Sequence, residues 1–309
     1  MKCFTKAIVL VLVTALVTAA AYAQEEKAEK AEKAIKFKVG LKGFSGSWDF
    51  ESSGVWHKGI TGHYDMTSHT GPFGPFAEVS FAKDHIGLGL QYLVGTFDGD
   101  YHIKNSRYVA PYWQKDWYKT DENGRVESRR DDLELVLRLT PYFRYASLLF
   151  GYKWLKYYNF ERRGHGVWTE YDGAYDVPVG VHEYDMRHDE RNRLHGFLYG
   201  LAFESPSFSG FYAWANGTIM PNMNIKYASD TRYRFENPDI ADNEDSYSFS
   251  GRIKSFKTEL GLAYACKEAP LEFKLGCWLQ QSKPDEQKAK NAVFNDKLTG
   301  VAFSLAYTF

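Results

Sequence analysis

Apolar and polar residues alternate with a period of two along ten segments of this chain, and that pattern limits the folds open to it. The pattern is clearest in the fourth segment, Leu133 to Thr140, and in the last, Gly300 to Phe309. Successive side chains of a β-strand point to opposite faces, so each segment predicts a strand with one apolar and one polar face. The chain is therefore predicted to be all-β.

The connections between these segments alternate between tight turns and long polar stretches. The five long stretches are Glu51–Gly74, Asp98–Arg130, Glu161–Arg193, Gly217–Tyr247 and Ser282–Lys297. Outer-membrane barrels have short periplasmic turns and longer extracellular loops. Residues 35–309 are therefore predicted to form a ten-stranded antiparallel transmembrane β-barrel with long extracellular loops and short periplasmic turns.

Composition supports the barrel over the alternative, a soluble β-sandwich or lipocalin-like barrel. Aromatic residues make up 17% of the 309 residues, although the mean hydropathy is −0.46. One soluble interior could not hold the large apolar residues of ten strands, so these are expected to face lipid, with charges and glycines inside. The formal charge of −1 lacks the basic excess of a nucleic-acid-binding protein, so no nucleic-acid partner is expected.

The N-terminal residues have the pattern of a targeting segment. Residues 1–23 have a charged start, a short apolar stretch and the pattern Ala21-Tyr22-Ala23, which predict a secretory signal peptide cleaved near Ala23. The alternative is a membrane anchor, but the apolar stretch is short. Residues 24–34 form a charged run that we interpret as a periplasmic leader. The predicted location is the bacterial outer membrane.

The predicted inward face carries charges of both signs. Since buried charges must pair or hydrate, these residues predict a salt-bridged, mostly plugged lumen. A narrow porin-like channel is the alternative. The predicted lumen charge network consists of Glu78, Glu134, Arg138, Lys153, Glu204, Lys257, Glu259, Glu272 and Lys274.

Two features point to envelope partners. Lys156 lies on the lipid-facing parity near the outer end of the fifth strand, where it could contact a lipopolysaccharide phosphate or simply be a solvated lysine. The last strand, with Phe303, Leu305, Tyr307 and the terminal Phe309, resembles the assembly signal by which the barrel assembly machinery recognises outer-membrane barrels.

Histidines in the long stretches do not form a recognisable metal motif. His57, His63 and His69 are spaced by six residues, and no cysteine or paired carboxylate motif completes a metal-binding set with them. No metal site and no cofactor are predicted.

The chain resembles the omptin family of outer-membrane proteases. The likeness lies in Gln114-Lys115-Asp116-Trp117, in Gly151-Tyr152 with Tyr158 and Phe160, and in the hairpin Leu260 to Leu279. This resemblance implies a ten-stranded barrel and a water-activating site made by one aspartate pair and an Asp–His pair. Asp116 is the one candidate catalytic residue, because Gln114 replaces its partner and the stretch after strand seven has no histidine.

The sequence thus predicts a surface protein whose long loops act in recognition, adhesion or envelope structure by binding an unidentified extracellular ligand. The alternatives are the narrow channel and an omptin-like surface endopeptidase.

Overall fold

A computed structural model gives the fold as ten strands that form one closed barrel. It describes residues 35–53, 62–81, 84–108, 117–141, 145–172, 177–239, 242–266, 268–284 and 293–309. The strands are β1 (Ile35–Ser53), β2 (Gly62–Phe81), β3 (Ile86–Tyr108), β4 (Trp117–Leu139), β5 (Ala146–Asp172), β6 (Val177–Glu204), β7 (Phe211–Phe235), β8 (Asn243–Ala265), β9 (Leu271–Pro284) and β10 (Val293–Thr308). The predicted signal peptide and leader lie outside the described residues. Within the described part of the chain, no helix is long and apolar enough to cross a membrane.

Each strand pairs antiparallel with its neighbours in sequence, and β1 pairs with β10 to close the barrel. Lys42 lies opposite Ser304 and Trp48 opposite Leu298 in this closing pair. Closure leaves no unpaired sheet edge, which is what allows a sheet to cross lipid. The predicted fold class is confirmed.

Large apolar side chains form a belt around the outside of the barrel. The belt includes Leu41, Leu88, Leu135, Leu137, Phe150, Trp154, Phe197, Leu201, Leu260, Leu262, Phe273, Leu275, Phe303 and Leu305. These side chains alternate with inward-facing residues, as the period-two pattern predicts. Phe303, Leu305 and Tyr307 of the predicted assembly signal belong to this belt, and Phe309 donates a backbone hydrogen bond to Phe37 at 2.8 Å.

The strands continue well beyond the belt on the side away from the chain termini. β5 has 27 residues and β6 has 28, whereas crossing a membrane takes about 9–11 residues per strand. The predicted loop Glu161–Arg193 is strand except for residues 173–176, which are not described. The long stretches are therefore largely strand extensions. Both faces of such an extension can be polar, so the alternation disappears although the strand does not.

A charged contact fixes the turn between β2 and β3. Asp84 has a positive φ of 70°, a conformation that aspartate tolerates better than most residues. Its carboxylate accepts hydrogen bonds from Lys36 at 2.5 Å and Ser80 at 2.8 Å. Partial burial would raise the pKa of the Asp84 carboxyl, but these two hydrogen bonds outweigh it and lower the pKa.

The interior holds an apolar core that the sequence did not predict. Beside and beyond the inward-facing charges, buried apolar side chains pack inside the barrel: Leu93, Phe97, Val126, Leu155, Leu194, Leu198, Met220, Met223, Ile225, Ile253 and Leu298. Trp214, which was expected to face lipid as a large apolar residue, also points inward and is 6% exposed. The expectation that large apolar residues lie only on the lipid side was wrong.

Two facing glycines make room for this packing. Gly46 of β1 and Gly300 of β10 are paired, and a Cβ on either would come within 3.0 Å of the Phe44 ring. Because these glycines have no side chain, Phe44 can lie edge-on against Trp278, with ring centroids 5.3 Å apart. Aromatic rings therefore pack inside the barrel at this height.

Candidate functional site

A chain of alternating charges crosses the middle of the lumen, and we call it the central charge chain. Its contacts are Lys42–Glu259 at 2.6 Å, Lys257–Glu259 at 3.5 Å, Lys257–Glu134 at 2.7 Å, Lys153–Glu134 at 3.3 Å, Lys153–Asp132 at 2.8 Å, Arg130–Asp132 at 3.9 Å and Arg130–Asp296 at 3.3 Å. Lys42 ends the chain and each of the other three cations lies between two carboxylates, so the four positive and four negative groups balance.

The register of the strands explains only part of this chain. Glu134 of β4 and Lys153 of β5 are direct cross-strand partners. Lys257 reaches Glu134 from β8, four strands away around the barrel, so this contact bridges the lumen. The side chains of Lys153 and Lys257 are 0% and 5% exposed. Charges at this depth are tolerated only when they are paired and hydrogen-bonded.

Asp296 ends the central charge chain among aromatic side chains. Its carboxylate accepts hydrogen bonds from Trp48 Nε1 and from the Tyr157 hydroxyl, both at 2.5 Å, and from Ser282 at 3.2 Å. The Arg130 guanidinium lies 5.7 Å from the Trp48 ring and 5.4 Å from the Tyr157 ring. Side chains of β1, β4, β5, β9 and β10 therefore meet at one buried carboxylate.

A second alternating chain lies near the end of the barrel that holds the termini, and we call it the lower charge chain. Its contacts are Lys38–Glu272 at 3.1 Å, Lys274–Glu272 at 3.5 Å, Lys274–Glu204 at 3.3 Å, Arg138–Glu204 at 3.9 Å, and a hydrogen bond between Arg138 and Glu78. The Tyr212 hydroxyl donates to Glu272 at 2.7 Å. This layer also balances, with three cations and three carboxylates.

Between the two chains lies a cavity of about 200 Å³. Charged groups of both chains line it together with Val136, Leu149 and Trp214. Gln91 Nε2 and Thr218 Oγ1 are buried beside it, and neither has a hydrogen-bond partner among the described residues. Such groups are usually satisfied by water, and this volume is enough for several molecules.

All nine residues of the predicted lumen charge network belong to one or other of these chains. Sequence reasoning missed Arg130, Asp132 and Asp296. Arg130 and Asp296 fall in stretches predicted as loops, and Asp132 lies just before the alternating run that begins at Leu133. All three continue the inward parity of Glu134 or Leu298, which is the signal that could have identified them.

A buried histidine cluster was also missed. His188 and Glu190 lie on the inward face of β6 and are 6% and 1% exposed. His188 Nδ1 lies 2.7 Å from the Thr231 hydroxyl, and Asn192 donates to Glu190 at 2.5 Å. His188 and Glu190 thus have hydrogen-bond partners inside the barrel, whereas Asn192 Oδ1 has none among the described residues. We interpret the cluster as part of the packing of the barrel.

The omptin-like catalytic candidate, Asp116, lies outside the described residues, as does Gln114 at the position of its partner. His195, the last histidine of the chain, is on the outer face of β6, where its Nδ1 lies 2.6 Å from the Tyr152 hydroxyl. It therefore does not face the barrel mouth.

Lys156 lies in a row of charges that borders the apolar belt. The register aligns Asp131, Lys156, Arg193 and Lys226 on four adjacent strands, all on the outer face. Trp154, two residues nearer the termini on β5, belongs to the belt. We call these four residues the border row, and the parts of β4–β8 beyond it the distal wall.

The distal wall carries a second row, in which arginines occupy one register position on four strands: Arg125, Arg163, Arg187 and Arg232. Arg125 lies 4.0 Å from Asp100, and Arg232 contacts Glu244 at 2.9 Å. Arg187 contacts Asp189, two residues along β6, at 3.5 Å. Like charges on adjacent strands repel, and these carboxylates offset that repulsion.

The comparison with known proteins finds a likeness in fold. The barrel is similar to the outer membrane protease OmpT from Escherichia coli, with a TM-score of 0.55 and 8% identity over 92% of this chain and 99% of that one. The P. putida toluene transporter TodX matches at a TM-score of 0.24, with 10% identity over 90% of each chain, which is too low to support an argument. No protein-family model and no curated protein matches the sequence. The predicted omptin-like, ten-stranded architecture is confirmed.

Proposed function

We propose that this protein is a bacterial outer-membrane barrel with a mostly plugged lumen. We further propose that its distal wall and loops face outward and act in recognition, adhesion or envelope structure. The observation that carries the proposal is the filling of the lumen by side chains from opposite walls. Glu134 and Lys257 meet across it, and so do Arg130 and Asp296.

The paired charges inside the barrel favour a structural role for the lumen over ion conduction. A channel for ions usually presents rings of one sign, and here every described cation of the two charge chains contacts a carboxylate. An ion crossing the lumen would have to break these pairs and then pass the apolar core around Leu155 and Met223.

Planar-bilayer recording on the refolded chain tests the proposal. We expect no stable unitary conductance in about 1 M KCl, because even concentrated salt screens buried ion pairs much less than exposed ion pairs. A reproducible conductance step would instead support the narrow-channel alternative. An outer-membrane porin recorded under the same conditions serves as the positive control.

We also propose that lipopolysaccharide contacts the border row. Lys156, Arg193 and Lys226 lie side by side just beyond the apolar belt, at the height where phosphorylated head groups meet the hydrocarbon. Cationic side chains at an anionic lipid surface contribute about 1 kcal/mol each. The row could therefore hold one phosphorylated lipid against β5–β7.

Replacing Arg193 and Lys226 with glutamine is expected to weaken binding of lipid A to the folded barrel by more than tenfold, since about 1 kcal/mol per charge gives about fivefold each. Native mass spectrometry in detergent with added lipid A measures the effect. The matched control replaces Arg125 and Arg232 of the distal wall with glutamine, which should change binding little. Equal losses in both variants would contradict a specific contact at the border row.

A further inference from the structure

Three side chains on neighbouring strands converge on the outer face of the distal wall. They are His165 of β5, Glu183 of β6 and Glu236, which directly follows β7. One ring nitrogen of His165 and one carboxylate oxygen of each glutamate all lie within 4.8 Å of one another. We propose that these three residues bind one divalent transition-metal ion, with zinc as the best match.

The backbone holds the three positions together. The Glu236 N–H donates a hydrogen bond to the Glu183 carbonyl at 3.1 Å, which extends the pairing of β6 and β7 to this point. On the other side, Glu183 pairs with Val167 of β5, two residues from His165 on the same face. The side chains therefore project from adjacent positions of one sheet, and their approach does not depend on a flexible loop.

The imidazole of His165 has a carboxylate on each side. Its Nε2 lies 3.8 Å from Glu183, and its Nδ1 lies 3.3 Å from Asp185, which is its direct partner on β6. Metal-binding histidines usually donate their second ring N–H to a carboxylate, which fixes the tautomer and the orientation of the ring. Asp185 is thus placed as a positioning residue, and Nε2 is left for the metal.

The two glutamates of the cluster also favour a bound cation. Glu183 and Glu236 bring two carboxylates close together, and like charges at neighbouring cross-strand positions are destabilising. Arg234, the partner of Asp185 on β7, lies on the same face, and so do Arg163 and Arg187 of the arginine row. A divalent ion between the two glutamates would relieve the repulsion between their carboxylates.

The donor set selects the type of metal. An imidazole nitrogen favours zinc and other late first-row ions, which also accept carboxylate oxygens, whereas calcium and magnesium prefer oxygen ligands alone. His165 is 51% exposed, so water can complete the coordination. The spacing of His57, His63 and His69 gave no hint of this site, because its residues are brought together by strand pairing.

Isothermal titration of the refolded, untagged chain with zinc chloride tests the site. We expect one ion per chain, and neither calcium nor magnesium in millimolar excess should displace it. His165→Ala and the double variant Glu183→Gln/Glu236→Gln should each weaken binding by at least tenfold. Asp185→Asn should weaken it about tenfold, in the range for residues that orient a ligand, and Asp185→Glu should restore it.

His182→Ala is the matched control, because His182 also lies on β6 but its ring packs against Trp168 at 5.8 Å. Its zinc affinity should equal that of the unchanged chain. The substituted residues of the site are all exposed, so we expect every variant to fold, and a heat-modifiable gel shift would verify this. The proposal is overturned if the chain shows no saturable zinc binding. It is equally overturned if His165→Ala binds zinc as tightly as His182→Ala.

Discussion

Glu134→Ala is expected to lower the free energy of unfolding by about 3–5 kcal/mol, the usual cost of removing one partner of a buried ion pair. Glu134 contacts Lys257 at 2.7 Å and Lys153 at 3.3 Å in the interior of the barrel. Its removal leaves the central charge chain with four cations and three carboxylates. Urea unfolding in detergent micelles, followed by far-UV circular dichroism and the heat-modifiable gel shift, measures the loss.

The double variant Glu134→Ala/Lys257→Met should recover most of that stability. Lys153 keeps Asp132 at 2.8 Å and Lys42 keeps Glu259 at 2.6 Å, so every remaining charge is paired. Replacing a complete buried pair with apolar groups is often neutral. A double variant no more stable than the single one would show that the cost comes from lost packing and not from an unpaired charge.

Glu244→Ala provides the control for the same chemical change at the surface. Glu244 contacts Arg232 at 2.9 Å on the distal wall, where both side chains are about 70% exposed. Exposed ion pairs contribute about 0–1 kcal/mol. The two glutamates therefore separate the effect of burial from the effect of charge.

Trp48→Ala is expected to cost about 3–5 kcal/mol, the range for deleting a fully buried large aromatic side chain. The Trp48 ring is 0% exposed and lies between Phe97 and Tyr157, with centroid distances of 5.0 and 4.9 Å. The substitution also removes the indole N–H group that donates a hydrogen bond to Asp296. The same unfolding measurement applies, with the midpoint falling while the slope stays unchanged.

Trp154→Ala is the matched control for Trp48→Ala. Trp154 is 39% exposed in the apolar belt, and its deletion leaves a space that detergent or lipid can fill. We expect a loss below about 1 kcal/mol. Equal losses in the two variants would contradict the assignment of Trp48 to the interior and Trp154 to the lipid face.

The alternation of residues was sufficient to predict the barrel and most of the charged interior. Glu134 and Arg138 both fall on the polar parity of the fourth segment, and parity alone places them on the inward face. Pairing could not be predicted, because Lys257 reaches Glu134 from the opposite wall. That contact depends on the closure of the sheet and on the stagger between strands, which a single sequence does not specify.

In the distal wall, by contrast, strands are present that the sequence pattern does not predict. Between Glu161 and Arg193 both faces of the sheet carry polar residues, so the contrast that marks a strand within lipid is absent. For this reason the sequence alone could not predict that His165 lies close to Glu183 and Glu236. Residues distant in sequence become neighbours only through the pairing of β5, β6 and β7.

By itself, the sequence determined the number of strands, the face that each side chain takes within the membrane, and the balance of charge in the interior. These depend on the identity and parity of single residues. Tertiary structure decided which charges meet, which apolar side chains pack inside the barrel around Leu155, and that His165 lies beside Glu183 and Glu236. These depend on distances across a closed sheet, and such distances are set by register and closure together.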